Sequence, residues 1–292
     1  MRVLVLGAAG MMGHMACRVL SAEHEVFGTV RSARPPAVLS EILDEEHLLR
    51  DVDVMQMHSL IRVMGDVRPD VVFNCVGIVK QLATAHDAIL STGCNALLPH
   101  QLSELCRATG AHLIHMSTDC VFSGEKGMYT LDDNPDPVDL YGRTKLVGEL
   151  AGPDATTLRT SIVGRQLTGT TSLFEWARSQ RGKQVFGFQH AIYSGLTTRA
   201  LAEVVARLLR DGRPLPGLWQ VASEPIDKLD LLRRLNDRLH LDLTIGINDE
   251  FRCDRSLDGS AFVAETGIVT PGWDEMLDAF AADEAFYAQS GS

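Results

Sequence analysis

The chain has 292 residues, 45% of them hydrophobic and 22% charged, with a formal net charge of −11. This is ordinary globular composition, enough for one large α/β domain or for a core domain with a smaller lobe. The acidic balance argues against a nucleic-acid partner, because phosphate binding needs a basic face, but it leaves room for a local basic pocket.

In chain order, "RVLVLGAAGMMGHMACRVLS" opens with a short apolar run, then glycines, then a helical pattern. The apolar start is too short for a signal peptide. "HEVFGTVR", "RPDVVFNCVGI", "GAHLIHMSTDCVF", "ATTLRTSIVG" and "GLWQVAS" are further runs of strand length. Between them "SLIRVMGDV", "NALLPHQLSELCRATG" and "TTRALAEVVARLLRDG" read as helices. Strands alternating with helices predict βαβ units and a Rossmann-type doubly wound parallel sheet. Near-continuous apolar strands fit burial on both faces. The pattern loosens after residue 164. Residues 1–164 with about 191–222 are expected to form the main domain. A smaller, mainly helical lobe is expected from about 165–190 plus 223–292, with residues 286–292 fraying. No run approaches the roughly 18 apolar residues of a membrane span, so no membrane partner is expected. Six cysteines without CxxC spacing read as reduced thiols of a cytoplasmic protein.

Gly7, Gly10 and Gly13 form GxxGxxG directly after the first strand. Such a turn brings backbone close to a pyrophosphate, and the following helix start, at Met11 and Met12, supplies N–H donors and a positive dipole end. The Met11, Met12 and Met15 side chains read as packing. An NAD site usually offers an acid after the second strand, for the ribose 2′-hydroxyl. Here the residues are Thr29, Val30 and Arg31. Arg31 is suited to a 2′-phosphate, which favours NADP(H) while leaving NAD(H) open. Asp53, where a third strand would end, is a candidate for the adenine amine or a plain turn residue.

The run "IHMSTDCVFSG" ends a strand in Ser117, Thr118 and Asp119, and ligands of doubly wound sheets bind beyond such ends. After a turn-rich loop comes Tyr141-x-x-x-Lys145, one face of a helix. A free tyrosine, with a pKa of about 10, is a poor acid near neutral pH. A nearby ammonium stabilises its phenolate and would tune it for proton transfer. The order GxxGxxG, "NCVG" at 74, "STD" at 117 and YxxxK at 141 is more specific than any one of these motifs.

Those motifs, with "STDCVFSG", "YGRTKLVGE" and "LRTS", resemble the extended short-chain dehydrogenase/reductase family, in its dTDP-4-dehydrorhamnose reductase-like branch. The resemblance is strong over 1–165 and weaker beyond. It implies an NAD(P)-dependent oxidoreductase that reduces the 4-keto group of a nucleotide-linked 4-keto-6-deoxy sugar for polysaccharide precursors. Its alternatives are a non-catalytic NADP-binding regulatory subunit and a nucleotide-sugar epimerase. Thr118, Tyr141 and Lys145 would be catalytic. The three glycines, Asn74, Val76, Gly77, Tyr141, Lys145, Thr160 and Ser161 would meet the cofactor. Nucleotide-sugar 4,6-dehydratases carry Thr-Asp-Glu where this chain has Thr118-Asp119-Cys120, so dehydration is not expected. A homodimer is common in the family.

The nucleotide-sugar is expected against Lys80, Asp119, Cys120, Trp176, Ser194 and Thr197. Thr197 or Thr198 also reads as a helix N-cap. Trp176 reads equally as a core residue. Arg159 and Arg165 are candidate diphosphate contacts. Ten histidines contain no HExxH, and no metal is expected.

Overall fold

The computed structural model describes all residues except 82, 211, 213–214 and 290–292. Among the described residues, twelve strands and eleven α-helices follow in chain order. The first half runs β1 (Arg2–Leu6), α1 (Met11–Leu20), β2 (Glu25–Thr29), α2 (Leu39–Ile42), β3 (Leu48–Leu49), α3 (Met57–Val67), β4 (Val71–Asn74), α4 (Ala88–Ser91), α5 (Leu98–Thr109), β5 (His112–Met116) and α6 (Leu140–Val147). It continues through β6 (Ala155–Arg159), β7 (Ile162–Val163), α7 (Leu173–Ser179), β8 (Gln184–Tyr193), β9 (Leu196–Thr197) and α8 (Thr198–Arg210). The chain ends with β10 (Gly217–Gln220), β11 (Ile226–Asp227), α9 (Lys228–Leu239), β12 (Thr244–Asp254), α10 (Ser260–Thr266) and α11 (Trp273–Gln289).

Seven strands form one sheet in the order β10-β6-β5-β4-β1-β2-β3. Every pairing in it is parallel. This is the Rossmann-type α/β fold that the strand–helix alternation predicts. Its strands are buried because helices cover both faces: Val3, Val5 and Phe73 pack with α1 and α8, while Leu4, Leu6 and Val72 pack with α3 and α5. Register aligns Leu6 with Thr29 on one side and with Asn74 on the other. Asn74 in turn aligns with His115, and Met116 with Leu158. The loops after β1, β2, β4, β5 and β6 therefore emerge along one sheet edge. The strand order reverses at β1, which opens the crevice where ligands of such sheets bind.

β10 joins the main sheet beside β6, and α8 packs on α1. Position 211, near the end of the stretch expected to form that helix, lies outside the described residues. The second half of the chain carries more strand than its sequence suggests. β8 pairs antiparallel with β11 and parallel with β12, making a three-stranded sheet. Both long strands lie in segments whose pattern reads as mixed and mainly helical. β8 alternates buried Val185 and Gly187 with exposed Phe186 and Phe188, so aromatic side chains on the open face obscure the polar half of the alternation. The expected fraying from 286 is also corrected, because α11 continues to Gln289 and buries Tyr287. Residues 290–292 lie outside the described residues. Among the described residues no helix is long and apolar enough to cross a membrane.

Candidate active site

The glycine turn is shaped by contacts that leave no room for side chains. Gly7 has φ +83°, in the left-handed region that favours glycine. A Cβ on Gly13 would lie 2.1 Å from the Gly7 carbonyl oxygen. The Gly10 amide donates to that same oxygen at 2.9 Å. Gly10 then caps α1 without any side-chain hydrogen bond. The first amides of the helix, at Met11, Met12 and Gly13, have no acceptor within the helix by geometry. A bare cradle with free donors and a positive helix end fits a dinucleotide pyrophosphate.

The other expected cofactor residues lie along the same sheet edge. Arg31 is exposed after β2, and no acid stands at positions 29–31. Asp53 comes four residues after the short β3, and its carboxylate accepts from the Met55 amide at 3.0 Å. Asn74 is fully buried. Its Oδ1 accepts from the Val76 amide at 3.1 Å and its amide lies 3.1 Å from His115 Nδ1, so it shapes the loop that carries Val76 and Gly77. Thr160 is buried and Ser161 half-buried in the link from β6 to β7.

Thr118 ends the extended stretch after β5. Its hydroxyl donates to Asp119 Oδ1 at 3.0 Å and accepts from the Cys120 amide at 3.1 Å, and it lies near enough to Tyr141 to influence its titration. Tyr141 sits in the first turn of α6, which Asp139 caps by accepting from the Gly142 amide at 2.7 Å. Gly142 is required there, because a Cβ would lie 2.2 Å from the Cys120 carbonyl oxygen. That close approach brings α6 against the Thr118–Cys120 turn.

The electrostatics differ from the sequence expectation. Burial, helped by Cys120, Asp119 and Asp139, raises the Tyr141 pKa well above its ordinary value, and the nearby Thr118 hydroxyl only partly opposes this. The phenol is therefore held protonated. Burial lowers Lys145 to about 8, against raising contributions from Cys94 and Glu149. Its ammonium donates to the Met116 carbonyl.

Behind Lys145 lies a buried ion pair. Arg159 grips both oxygens of Glu149 at 2.7 Å, and the Ser117 hydroxyl donates to Glu149 at 2.6 Å. Arg159 is therefore not free for a diphosphate. Arg165 is likewise taken, by Glu284 at 2.8 Å. Two expected substrate contacts are corrected as well. Ser194 is buried, with its hydroxyl bonded to Leu257 backbone, and Thr197 is fully buried and accepts from the Ala200 amide at 3.2 Å, as an N-cap does. Trp176 stands 36% exposed on α7, so it is not a core residue.

Cys120 is buried, and burial with the neighbouring Asp119 pushes its thiol up to about 12. Lys80 Nζ lies 3.9 Å from its sulfur. Arg255 Nη1 lies 3.7 Å from the same sulfur, on a guanidinium anchored by its Nε to the Phe122 carbonyl at 2.8 Å. Lys228, at the start of α9, senses Lys80, Asp119 and Cys120. Sequence reasoning missed Arg255 and Lys228, because both come from the lobe and no local motif marks them. It also gave no role to Asn95. That side chain bonds both backbone groups of Ile78 at 2.9 Å and Thr144 on α6 at 3.2 Å, from within a π-helical turn, Thr92–Leu97. Such turns are frequent at functional sites. Among the described residues, no group of three or more His, Cys, Asp or Glu side chains could hold a metal ion.

The family described as RmlD substrate binding domain matches residues 1–225. The chain belongs to this family, a branch of the extended short-chain dehydrogenases/reductases. It is 30% identical to the dTDP-4-dehydrorhamnose reductase of Mycolicibacterium smegmatis over 233 residues, 76% of this chain and 64% of that protein. It is 35% identical over 155 residues to the methionine adenosyltransferase 2 subunit beta of Rattus norvegicus, 51% of this chain and 42% of that protein. The chain spans about half the length of the first curated relatives it matches. A crystal structure of a hypothetical dTDP-4-dehydrorhamnose reductase from Sulfolobus tokodaii superposes with a TM-score of 0.75 at 27% identity, covering 92% of this chain and 96% of that one.

Proposed function

We propose that the protein is an NADPH-dependent reductase of the 4-keto group of a nucleotide-linked 4-keto-6-deoxy sugar, acting in the cytoplasm in polysaccharide precursor synthesis. One observation carries this reading. The glycine cradle and the Thr118–Tyr141 hydroxyl pair, with Lys145 one helical turn on, open along a single sheet edge. Family membership and the likeness to dTDP-4-dehydrorhamnose reductases support it.

NADPH bound at the cradle would supply a hydride to the carbonyl carbon. Thr118 orients the carbonyl oxygen. Tyr141, kept protonated by burial, gives its proton to that oxygen as alkoxide character develops, and the product is the alcohol. Lys145 supplies the positive charge that stabilises the phenolate left behind. The absence of a carboxylate at Cys120 agrees with reduction without elimination. Arg31 favours NADPH over NADH through the 2′-phosphate, and an Arg31→Ala variant that keeps an unchanged preference would remove that support.

The test follows NADPH oxidation with 4-keto-6-deoxy sugars on dTDP, UDP, GDP and CDP. Turnover on one of them, abolished in Tyr141→Phe while NADPH affinity stays within a few-fold, is the expected result. The likeness to a methionine adenosyltransferase subunit favours a second reading, a binding module. Tight NADPH binding without turnover on any of the four, together with a copurifying catalytic partner, would select it.

A further inference from the structure

Two neighbouring strands of the main sheet carry a polar pair in an otherwise apolar layer. Asn74 on β4 and His115 on β5 stand opposite each other in the register, and both are buried. The Val76 amide donates to Asn74 Oδ1 at 3.1 Å, so the NH2 end of that side chain is the end that meets His115 Nδ1, at 3.1 Å. An amide NH2 can only donate. Nδ1 therefore accepts, and the ring proton sits on Nε2. Burial and the nearby Lys145 ammonium keep the ring from taking a second proton. Nε2 is buried and has no hydrogen-bond partner among the described residues. A leucine here would avoid that orphaned donor, which costs stability. What the imidazole adds is the acceptor at Nδ1.

That acceptor fixes which way round the Asn74 amide lies. Reversed, its NH2 would face the Val76 N–H, donor against donor. In the orientation observed, Asn74 holds the Val76 amide, and Val76 Cγ2 packs on the glycine turn, 2.9 Å from where a Cβ on Gly7 would stand. Farther along, Asn95 holds both backbone groups of Ile78 at 2.9 Å. The loop 74–78 is thus pinned at both ends, and its first pin depends on the His115 ring.

We infer that His115 is a positioning residue for the cofactor: through the Asn74 amide it seats Val76 against the glycine turn and so sets one wall of the NADPH cradle. Being buried, it acts through Asn74 and not by meeting the ligand. The role rests on the cofactor reading of the cradle and is independent of which carbonyl is reduced.

Two substitutions separate this role from packing. Asparagine matches histidine out to Nδ1, with Oδ1 in its place. Leucine has the same branching and no acceptor. Both give up the ring, and asparagine leaves its own NH2 buried, so packing alone ranks leucine first in stability and no lower in NADPH affinity. The inferred role predicts opposite orders for the two readouts. In urea unfolding His115→Leu should be the more stable variant. In fluorescence titration it should bind NADPH about ten-fold more weakly than wild type, on the order of one hydrogen bond, while His115→Asn stays within about two-fold. A leucine variant with wild-type affinity, or equal affinities for the two variants, would overturn the role. The wild type offers a check that needs no variant. Nitrogen-15 spectra of labelled histidine should show His115 protonated on Nε2 and bare at Nδ1 near neutral pH, and a proton on Nδ1 would overturn the inference. Failure of the wild type to bind NADPH at all would remove the cofactor reading itself, and this role with it.

Discussion

Tyr287, 273 positions beyond His14, places its hydroxyl 2.8 Å from His14 Nε2. His14 Nδ1 faces the Gly10 carbonyl at 2.8 Å. A carbonyl can only accept, so Nδ1 carries the proton and Nε2 accepts from Tyr287. The last helix thus braces the glycine turn from behind. Arg18 and Arg199 both pair with Asp283 at 2.8 Å and tie the same helix to α1 and α8. Tyr287→Phe leaves a buried acceptor unsatisfied, which costs about 1–3 kcal/mol. We expect that loss in urea unfolding, together with weaker NADPH binding. Unchanged values for both would show that the brace does not matter.

The same pair sets an acid limit. Burial lowers His14 from 6.5 to about 4. Between those values the unfolded chain binds more protons, so stability falls as pH drops from 6.5 towards 4, by about 3 kcal/mol. His14→Gln should flatten this part of the stability–pH curve relative to wild type, and parallel curves would contradict it.

Lys145 predicts the opposite limb. Its folded pKa, about 8, lies below the ordinary 10.5. The unfolded chain binds the extra proton between these values, so stability relative to Lys145→Met should rise by about 3 kcal/mol from pH 8 to 10.5. Activity should fall over the first part of that range as the ammonium is lost. Urea midpoints of the two proteins across pH, with kcat in parallel, check both signs.

Gly13→Ala places a Cβ against the Gly7 carbonyl, where the neighbour is backbone and cannot yield cheaply. We expect at least a hundred-fold loss of NADPH affinity, read by fluorescence titration. Gly65→Ala, in α3 with nothing within 4 Å of the added carbon, is the control and should bind as wild type.

Glu149→Gln keeps the shape of the side chain but leaves the Arg159 charge buried without its partner. Both side chains are under 10% exposed. Breaking such a pair typically costs about 3–5 kcal/mol. The variant should lose that in urea unfolding, and the kcat–pH profile should move to lower pH, because Glu149 helps to hold Lys145 protonated. A stability loss without a shift in the profile would confine Glu149 to a structural part.

Strand–helix alternation, the glycine spacing and the Tyr141–Lys145 interval were all legible in the sequence. Each is a local rule: a period of two or 3.6 residues, a turn that needs glycine, a pair one helical turn apart. The same local reading missed β8 and β12, whose open-face aromatics disguise a strand as mixed sequence. It assigned Ser194 and Thr197 to substrate because hydroxyls near a helix start suit either a ligand or a cap, and only packing settles which. Arg159 and Arg165 had suitable chemistry for a diphosphate, but their carboxylate partners lie 10 and 119 positions away.

The sequence by itself determined the doubly wound sheet, the cradle after β1 and the order of Thr118, Tyr141 and Lys145, since these follow from neighbours in the chain. Tertiary structure alone decided the protonation preferences of Tyr141 and Lys145, the pairing of Glu149 with Arg159, the His14–Tyr287 brace and the meeting of Lys80, Lys228 and Arg255 at Cys120. Burial sets those pKa values, and burial arises only when distant segments close over a group. No periodicity encodes a contact across 135 or 273 positions, as those of Arg255 with Cys120 and of Tyr287 with His14 do.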